Sequence, residues 1–204
     1  MTEILSARAL WLASLSLLAA VGLSGCGCSS NSFSFGGDTR NQMIVSVRDQ
    51  KMLLIHDGTP IKSYMISTSK FGIGDRPGSN CTPLGRLQVA KKIGDNAAIG
   101  SVFKSRRLTG EVIKPNAPGR DPVVTRILWL TGTESRNQNT FRRTIYIHGT
   151  PEERRLGSPA SYGCIRMGSR DIADLYGRIG TGADVFVIRD SIQTKSKSQA
   201  TASL

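Results

Sequence analysis

Residues 146–167, YIHGTPEERRLGSPASYGCIRM, join a short alternating run to a cysteine through a connector rich in Gly, Pro and Ser. Ile145 and Ile147 alternate with Thr144, Tyr146 and His148, the period of a half-buried strand. With both isoleucines facing a core, His148 leaves the strand on the opposite side at its end, which predicts an imidazole exposed at a rim. Cys164 follows sixteen positions later (164 − 148), directly behind Gly163, a residue that tolerates unusual backbone angles and leaves adjacent amides unobstructed. Cysteine and histidine brought together make a nucleophile and its base. A free thiol titrates at about 8.5, and a neighbouring imidazolium lowers that by several units. The amides of Gly163 and Cys164 would then hold an oxyanion, an effect worth about 3 kcal/mol per donor. A buried structural cysteine with an unrelated histidine fits the same spacing, so the pair alone leaves both readings open.

Outward from this stretch the chain reads as strands. Met43, Val45 and Val47 alternate with Ile44 and Ser46, Met52–Ile55 runs into His56-Asp57-Gly58-Thr59, and Ile61 to Thr68 is again extended. Asp-Gly between apolar runs is a strong hairpin signal, which places His56 at a solvated turn with no catalytic part. Residues 69–87, SKFGIGDRPGSNCTPLGRL, read as a loop. Their glycines do not make a phosphate cradle, because Pro77 stands where a third glycine is needed and no G-K-[ST] follows. Further extended pieces are expected at 87–90, 127–130, 144–147 and 185–188. One helix is predicted, capped by Ser169, with Ile172, Leu175, Tyr176 and Ile179 on one face and Gly180 at its end. The expected domain is mainly β, with one or two short helices packed on the sheet.

Composition narrows the class. Of 204 residues, 39% are hydrophobic and 21% charged, which excludes general disorder and fibrous repeats. Two distant histidines, His56 and His148, without Cys-x-x-Cys or His-Glu-x-x-His, offer few ligands for zinc, and no metal or cofactor is expected. Residues 1–25 differ from the rest: Ala9–Gly25 carries no charge, follows Arg8 and ends in small residues, the pattern of a secretory signal. Leu23-Ser24-Gly25-Cys26 resembles a bacterial lipobox, which implies cleavage before Cys26 and its lipidation. Gly27 lacks the aspartate that would suggest inner-membrane retention, which favours the outer membrane. Residues 26–41 then form a flexible tether, 42–190 the domain, and 191–204 a disordered polar tail. The tether carries Phe33 and Phe35, which have either the domain or the membrane surface to pack on.

Removal of one Glu and one Arg with the signal leaves the formal net charge at +12. Inside a cell that charge would favour nucleic acid, whereas export points to anionic wall polymer or lipid headgroups. With Cys26 lipidated, Cys28, Cys81 and Cys164 remain, an odd number, so at least one thiol is free. Cys28 belongs to the tether. Cys81 reads as a small structural hydrophobe, with a regulatory disulfide to Cys164 as its alternative.

His148-Gly149 and Ser161-Tyr162-Gly163-Cys164-Ile165-Arg166, with fifteen residues between His148 and Cys164, resemble the signature of the L,D-transpeptidase catalytic domain. The hairpin from Met43, Thr82-Pro83-Leu84-Gly85 and Gly182-Ala183-Asp184-Val185 extend the resemblance over approximately residues 42–189. It implies a β-sandwich or barrel around a cysteine site, acting in the periplasm or cell envelope on peptidoglycan stem peptides. Cys164 would be the nucleophile and His148 the base, with the Gly149 carbonyl orienting the ring. Gly163 and Cys164 would supply oxyanion amides, and Ser161 and Arg166 would line the substrate groove, with Tyr146 and Tyr162 beside them. The family often has a second histidine where Tyr162 stands, which removes that imidazole from substrate binding. The thioester formed as D-Ala leaves would be resolved by a stem amine, a protein lysine or water. A wall-binding lipoprotein without turnover remains the non-enzymatic alternative.

Overall fold

The computed structural model describes residues 37–192. The expected signal peptide, the Cys26 lipidation site, Cys28, Phe33, Phe35 and all but the first two residues of the predicted tail lie outside them. Ten strands and one α-helix make up the described chain. Strands β1 (Asn41–Ser46), β2 (Lys51–His56) and β3 (Thr59–Ser67) form a meander, with alternate residues Met43, Val45, Met52, Leu54, Tyr64 and Ile66 buried on one face. The β2–β3 turn is the predicted Asp57-Gly58, both at positive φ (46° and 78°), the backbone that matches strand twist across a two-residue hairpin.

The remaining strands are β4 (Gly85–Ile93), β5 (Ser101–Lys104), β6 (Arg107–Val112), β7 (Val123–Gly132), β8 (Tyr146–Gly149), β9 (Ile165–Met167) and β10 (Asp184–Ile188), with helix α1 (Ser169–Arg178) between the last two. Hydrogen bonding runs β4-β10-β1-β2-β3-β9-β8-β7, and β7 pairs again with β4, so the sheet closes into a barrel of eight strands. A ring of that size is just wide enough to be filled by side chains. Met43, Leu54, Ile66, Leu87, Leu128, Ile147, Ile165, Met167 and Val185 fill it, together with Ile172, Leu175 and Tyr176 of α1. The β5–β6 hairpin leaves the barrel where β5 meets the start of β7, and β6 is exposed along its whole length.

The mainly β expectation with one helix packed on the sheet agrees with this architecture, and differences lie in the details. The helix begins at Ser169 rather than being capped by it. Its first amide donates to Glu153 Oε1 at 2.8 Å, and the Ser169 hydroxyl is buried without a partner. The capping oxygen thus comes from a distant carboxylate, which local spacing does not reveal. Strands β5, β6 and β9 were not anticipated. The turn of β5–β6 uses Ser105 and Arg106 at positive φ (50° and 65°) in place of Gly or Asn, and β6 buries no face that would show as alternation.

Leu175 is fully buried where α1 meets the barrel core. Leu175→Ala should lower unfolding free energy by about 2–5 kcal/mol in a denaturant titration, and a loss under ~0.5 kcal/mol would show that the helix is not part of the core.

Candidate active site

The site stands on the outer face of β8 and β9. These strands run parallel, with Ile147 opposite Ile165 and His148 opposite Arg166. Since successive side chains alternate, the isoleucines enter the barrel while Tyr146, His148, Cys164 and Arg166 share the outside. A second apolar cluster covers that outer face. Phe103, Ile127 and Tyr146 form its core, and Trp129, Val123 and Cys164 pack against it. His148, Cys164, Ser161, Tyr162 and Arg166 line one cavity of about 150 Å³ with Val123 and Asp121. The residues predicted to act together are therefore brought to one place.

His148 is 5% exposed, so the expected rim imidazole is instead buried under the β6–β7 connection that carries Asp121. Its Nδ1 lies 2.8 Å from the Gly149 carbonyl. A carbonyl only accepts, so Nδ1 carries the hydrogen and Nε2 keeps a lone pair. Burial lowers the imidazole's pKa, opposed by the Gly149 carbonyl and the Asp121 charge, so the ring rests neutral near neutral pH.

Cys164 is half-buried and has no disulfide partner. Its Sγ accepts from the Tyr146 amide at 3.4 Å and approaches the Thr144 carbonyl at 3.6 Å. Desolvation pushes the thiol up from 9.0 to about 11, against smaller stabilisation of the thiolate by the Tyr146 amide and the Arg143 charge. Burial disfavours both charged forms, the Cys164 thiolate and the His148 imidazolium, which opposes the expected thiolate–imidazolium pair in the resting site.

The turn before Cys164 is built from several directions. Gly163 sits at φ 119°, where a side chain would be strained, and an added Cβ would lie 3.2 Å from Ile145 Cδ1 and 3.3 Å from the Cys81 carbonyl. Thr82, from the predicted Thr-Pro-Leu-Gly segment, donates its hydroxyl to the Gly163 carbonyl at 3.0 Å. Ser161 is buried, and its hydroxyl donates to the Cys164 carbonyl at 2.6 Å while accepting the Gly163 amide at 3.2 Å. Two expectations change accordingly. Ser161 shapes the turn with its hydroxyl already committed, and the Gly163 amide is occupied by Ser161 rather than open to an oxyanion.

Arg166 was expected to meet a substrate carboxylate. It is 3% exposed and pairs with Asp121 and, at 3.3 Å, with Glu152, so the protein's own acids already answer its charge. Tyr146 is also a wall rather than a lining residue. Its ring meets Trp129 edge-on at 5.6 Å, and its hydroxyl accepts from Arg106 at 3.3 Å. Tyr162, by contrast, is 64% exposed at the mouth of the cavity.

Sequence reading missed Asp121, which lines the cavity from an irregular Arg-Asp-Pro loop, and the buried Arg143–Asp75 pair (3.0 Å). Arg143 also donates to the Cys81 carbonyl at 2.6 Å, holding that loop against Gly163. Cys81 is itself a free thiol directed at the Phe71 carbonyl, 3.2 Å away. His56 sits at the hairpin end, bonded through Nδ1 to Asn41 at 2.9 Å and remote from the cavity walls.

The description of the L,D-transpeptidase catalytic domain (YkuD) matches residues 40–188. The chain belongs to the L,D-transpeptidase catalytic-domain family. Solved structures similar to it include an L,D-transpeptidase from Mycobacterium smegmatis (17% identity, TM-score 0.47, covering 73% of this chain and 58% of that one). Others are an L,D-transpeptidase from Mycobacterium tuberculosis (17%, 0.48, covering 74% and 58%) and one from Xylanimonas cellulosilytica (16%, 0.47, covering 72% and 60%). The chain thus spans three-fifths or less of the length of these relatives. No match was found among curated proteins. The family's extent agrees with the approximately 42–189 read from the motifs.

The raised thiol makes a pH prediction. Alkylation of Cys164, followed by peptide mapping, should rise with a midpoint near 11, and a midpoint below neutrality would show a resting thiolate. Stability follows the same shift: the folded thiol titrates higher than the unfolded one, so its contribution is full below 9.0 and is lost as pH rises toward 11.

Proposed function

We propose that the protein is a cysteine acyl transferase of peptidoglycan stem peptides, exported and lipid-anchored through Cys26 in the cell envelope. The observation that carries this reading is the meeting of His148, on β8, and Cys164, directly before β9, in one cavity within a chain of the L,D-transpeptidase family. In this mechanism Nε2 of His148 takes the thiol proton as Sγ attacks the carbonyl between the stem's diamino acid and its terminal D-Ala. Because burial raises the thiol's pKa, proton transfer accompanies attack in this mechanism instead of preceding it.

The Tyr146 amide already donates to Sγ, which supports the developing thiolate. Negative charge then moves to the carbonyl oxygen. With the Gly163 amide committed to Ser161, the Cys164 amide is the donor assigned to that oxyanion. Collapse breaks the C–N bond, the imidazolium returns its proton to the departing D-Ala amine, and a Cys164 thioester remains. An acceptor amine attacks the thioester, gives its proton to His148 and releases the thiol. The Gly149 carbonyl supports the imidazolium through Nδ1–H in both halves, and the Asp121 charge favours it as well.

Incubation with disaccharide-tetrapeptide, followed by mass analysis, tests the reading. The expected products are a Cys164-linked acyl adduct and free D-Ala, with dimer or tripeptide identifying an amine or water as acceptor. His148→Ala should slow acylation by about 100-fold or more while the fold persists. A folded wild-type chain that forms no adduct and releases no D-Ala would leave only wall binding.

A further inference from the structure

Arg166 lines the cavity with its charge already paired to Asp121 and Glu152, so a cation that such acids do not engage is sought at the cavity mouth. Lys70 is placed for that. Its Nζ lies 3.0 Å from the Tyr162 hydroxyl, 4.3 Å above the Tyr162 ring and 5.3 Å from the centre of the Phe71 ring. Both rings are exposed (64% and 49%) and stand 5.3 Å apart. Among the described residues no carboxylate pairs with Lys70.

The group is fixed to the catalytic turn and is not a loose surface feature. Ser69 bridges Ser161, and the Lys70 amide donates to the Ser161 carbonyl at 3.1 Å, which sets Lys70 beside Tyr162 and Tyr162 two positions from Cys164. An ammonium only donates, so the Tyr162 oxygen accepts from Lys70 and its own O–H stays available. Two donors, the remaining Lys70 N–H groups and the phenol, therefore converge on one exposed spot. The ammonium also lowers the phenol's pKa.

Resting on the acyl-donor reading above, we propose that Lys70 and Tyr162 form a carboxylate subsite that seats the donor stem at the entrance to the Cys164 cavity. The carboxylate belongs either to the residue before the diamino acid or to the diamino acid's own side chain. Either places negative charge on the residue that carries the scissile carbonyl or on its neighbour.

Calorimetry on the full chain carrying Cys164→Ala separates these sources without turnover. The probes are L-Ala–γ-D-Glu–meso-diaminopimelate–D-Ala and two counterparts, one amidated at the D-Glu carboxylate and one at the diaminopimelate side-chain carboxylate. The acid peptide should bind about fivefold more tightly than at least one amide, and the weakened amide names the source. Lys70→Met should abolish that difference, and Lys70→Arg should keep most of it. Equal affinity for all three peptides, no measurable binding, or discrimination that survives Lys70→Met would overturn the subsite. D-Ala release by the unaltered chain reports separately on acyl transfer. Release without discrimination retires the subsite alone, and discrimination without release retires the transfer reaction alone.

Discussion

The parallel pairing of β8 with β9 governs the rest of the molecule. Its register, Ile147 against Ile165, decides at once which side chains fill the barrel and which face the cavity. A slip of one residue in either strand would send His148 or Cys164 inward and an isoleucine outward. The pairing is protected by what lies on both sides. Ile147, Ile165 and Met167 are fully buried inside, and Tyr146 with Ile127 closes the outside under the β5–β6 hairpin.

Burial that secures this register also sets the electrostatics. Burial raises the thiol's pKa and lowers the imidazole's, and each group faces a backbone carbonyl, Thr144 for Cys164 and Gly149 for His148. Charge is kept to the edges in compensated form. Arg143 pairs with Asp75 behind the Gly163 turn, and Arg166 pairs with Asp121 and Glu152 beside His148. Both arginines thereby serve as struts between loops, since removing either would strand a buried carboxylate or release a connection. Thr82 and Ser161 complete the frame with neutral hydrogen bonds to Gly163 and Cys164.

What could be read from the chain was whatever rests on local periodicity. The β1–β3 meander shows as alternation with an Asp-Gly turn, α1 as an apolar stripe, and the His-Gly and Ser-x-Gly-Cys elements as spaced motifs. Features that depend on distant partners did not show. Arg166 looks like a free fork until Asp121, forty-five positions earlier, is folded against it. Likewise Glu153 as a helix cap and Lys70 beside Tyr162 (ninety-two positions apart) exist only once the barrel closes. Strand β6 was invisible for a different reason: it buries nothing, so no pattern was imposed on its residues.

The central claim, a neutral His148 held by the Gly149 carbonyl in the cavity it shares with Cys164, is tested most directly by heteronuclear NMR of the imidazole nitrogens in the resting protein. Only His56 and His148 contribute signals, and His56→Asn assigns them. At neutral pH the account predicts that Nδ1 of His148 is protonated and hydrogen-bonded and that Nε2 bears a lone pair, unchanged by Cys164→Ala. Two protonated ring nitrogens that revert to the neutral form in Cys164→Ala would reveal a thiolate–imidazolium pair and contradict it.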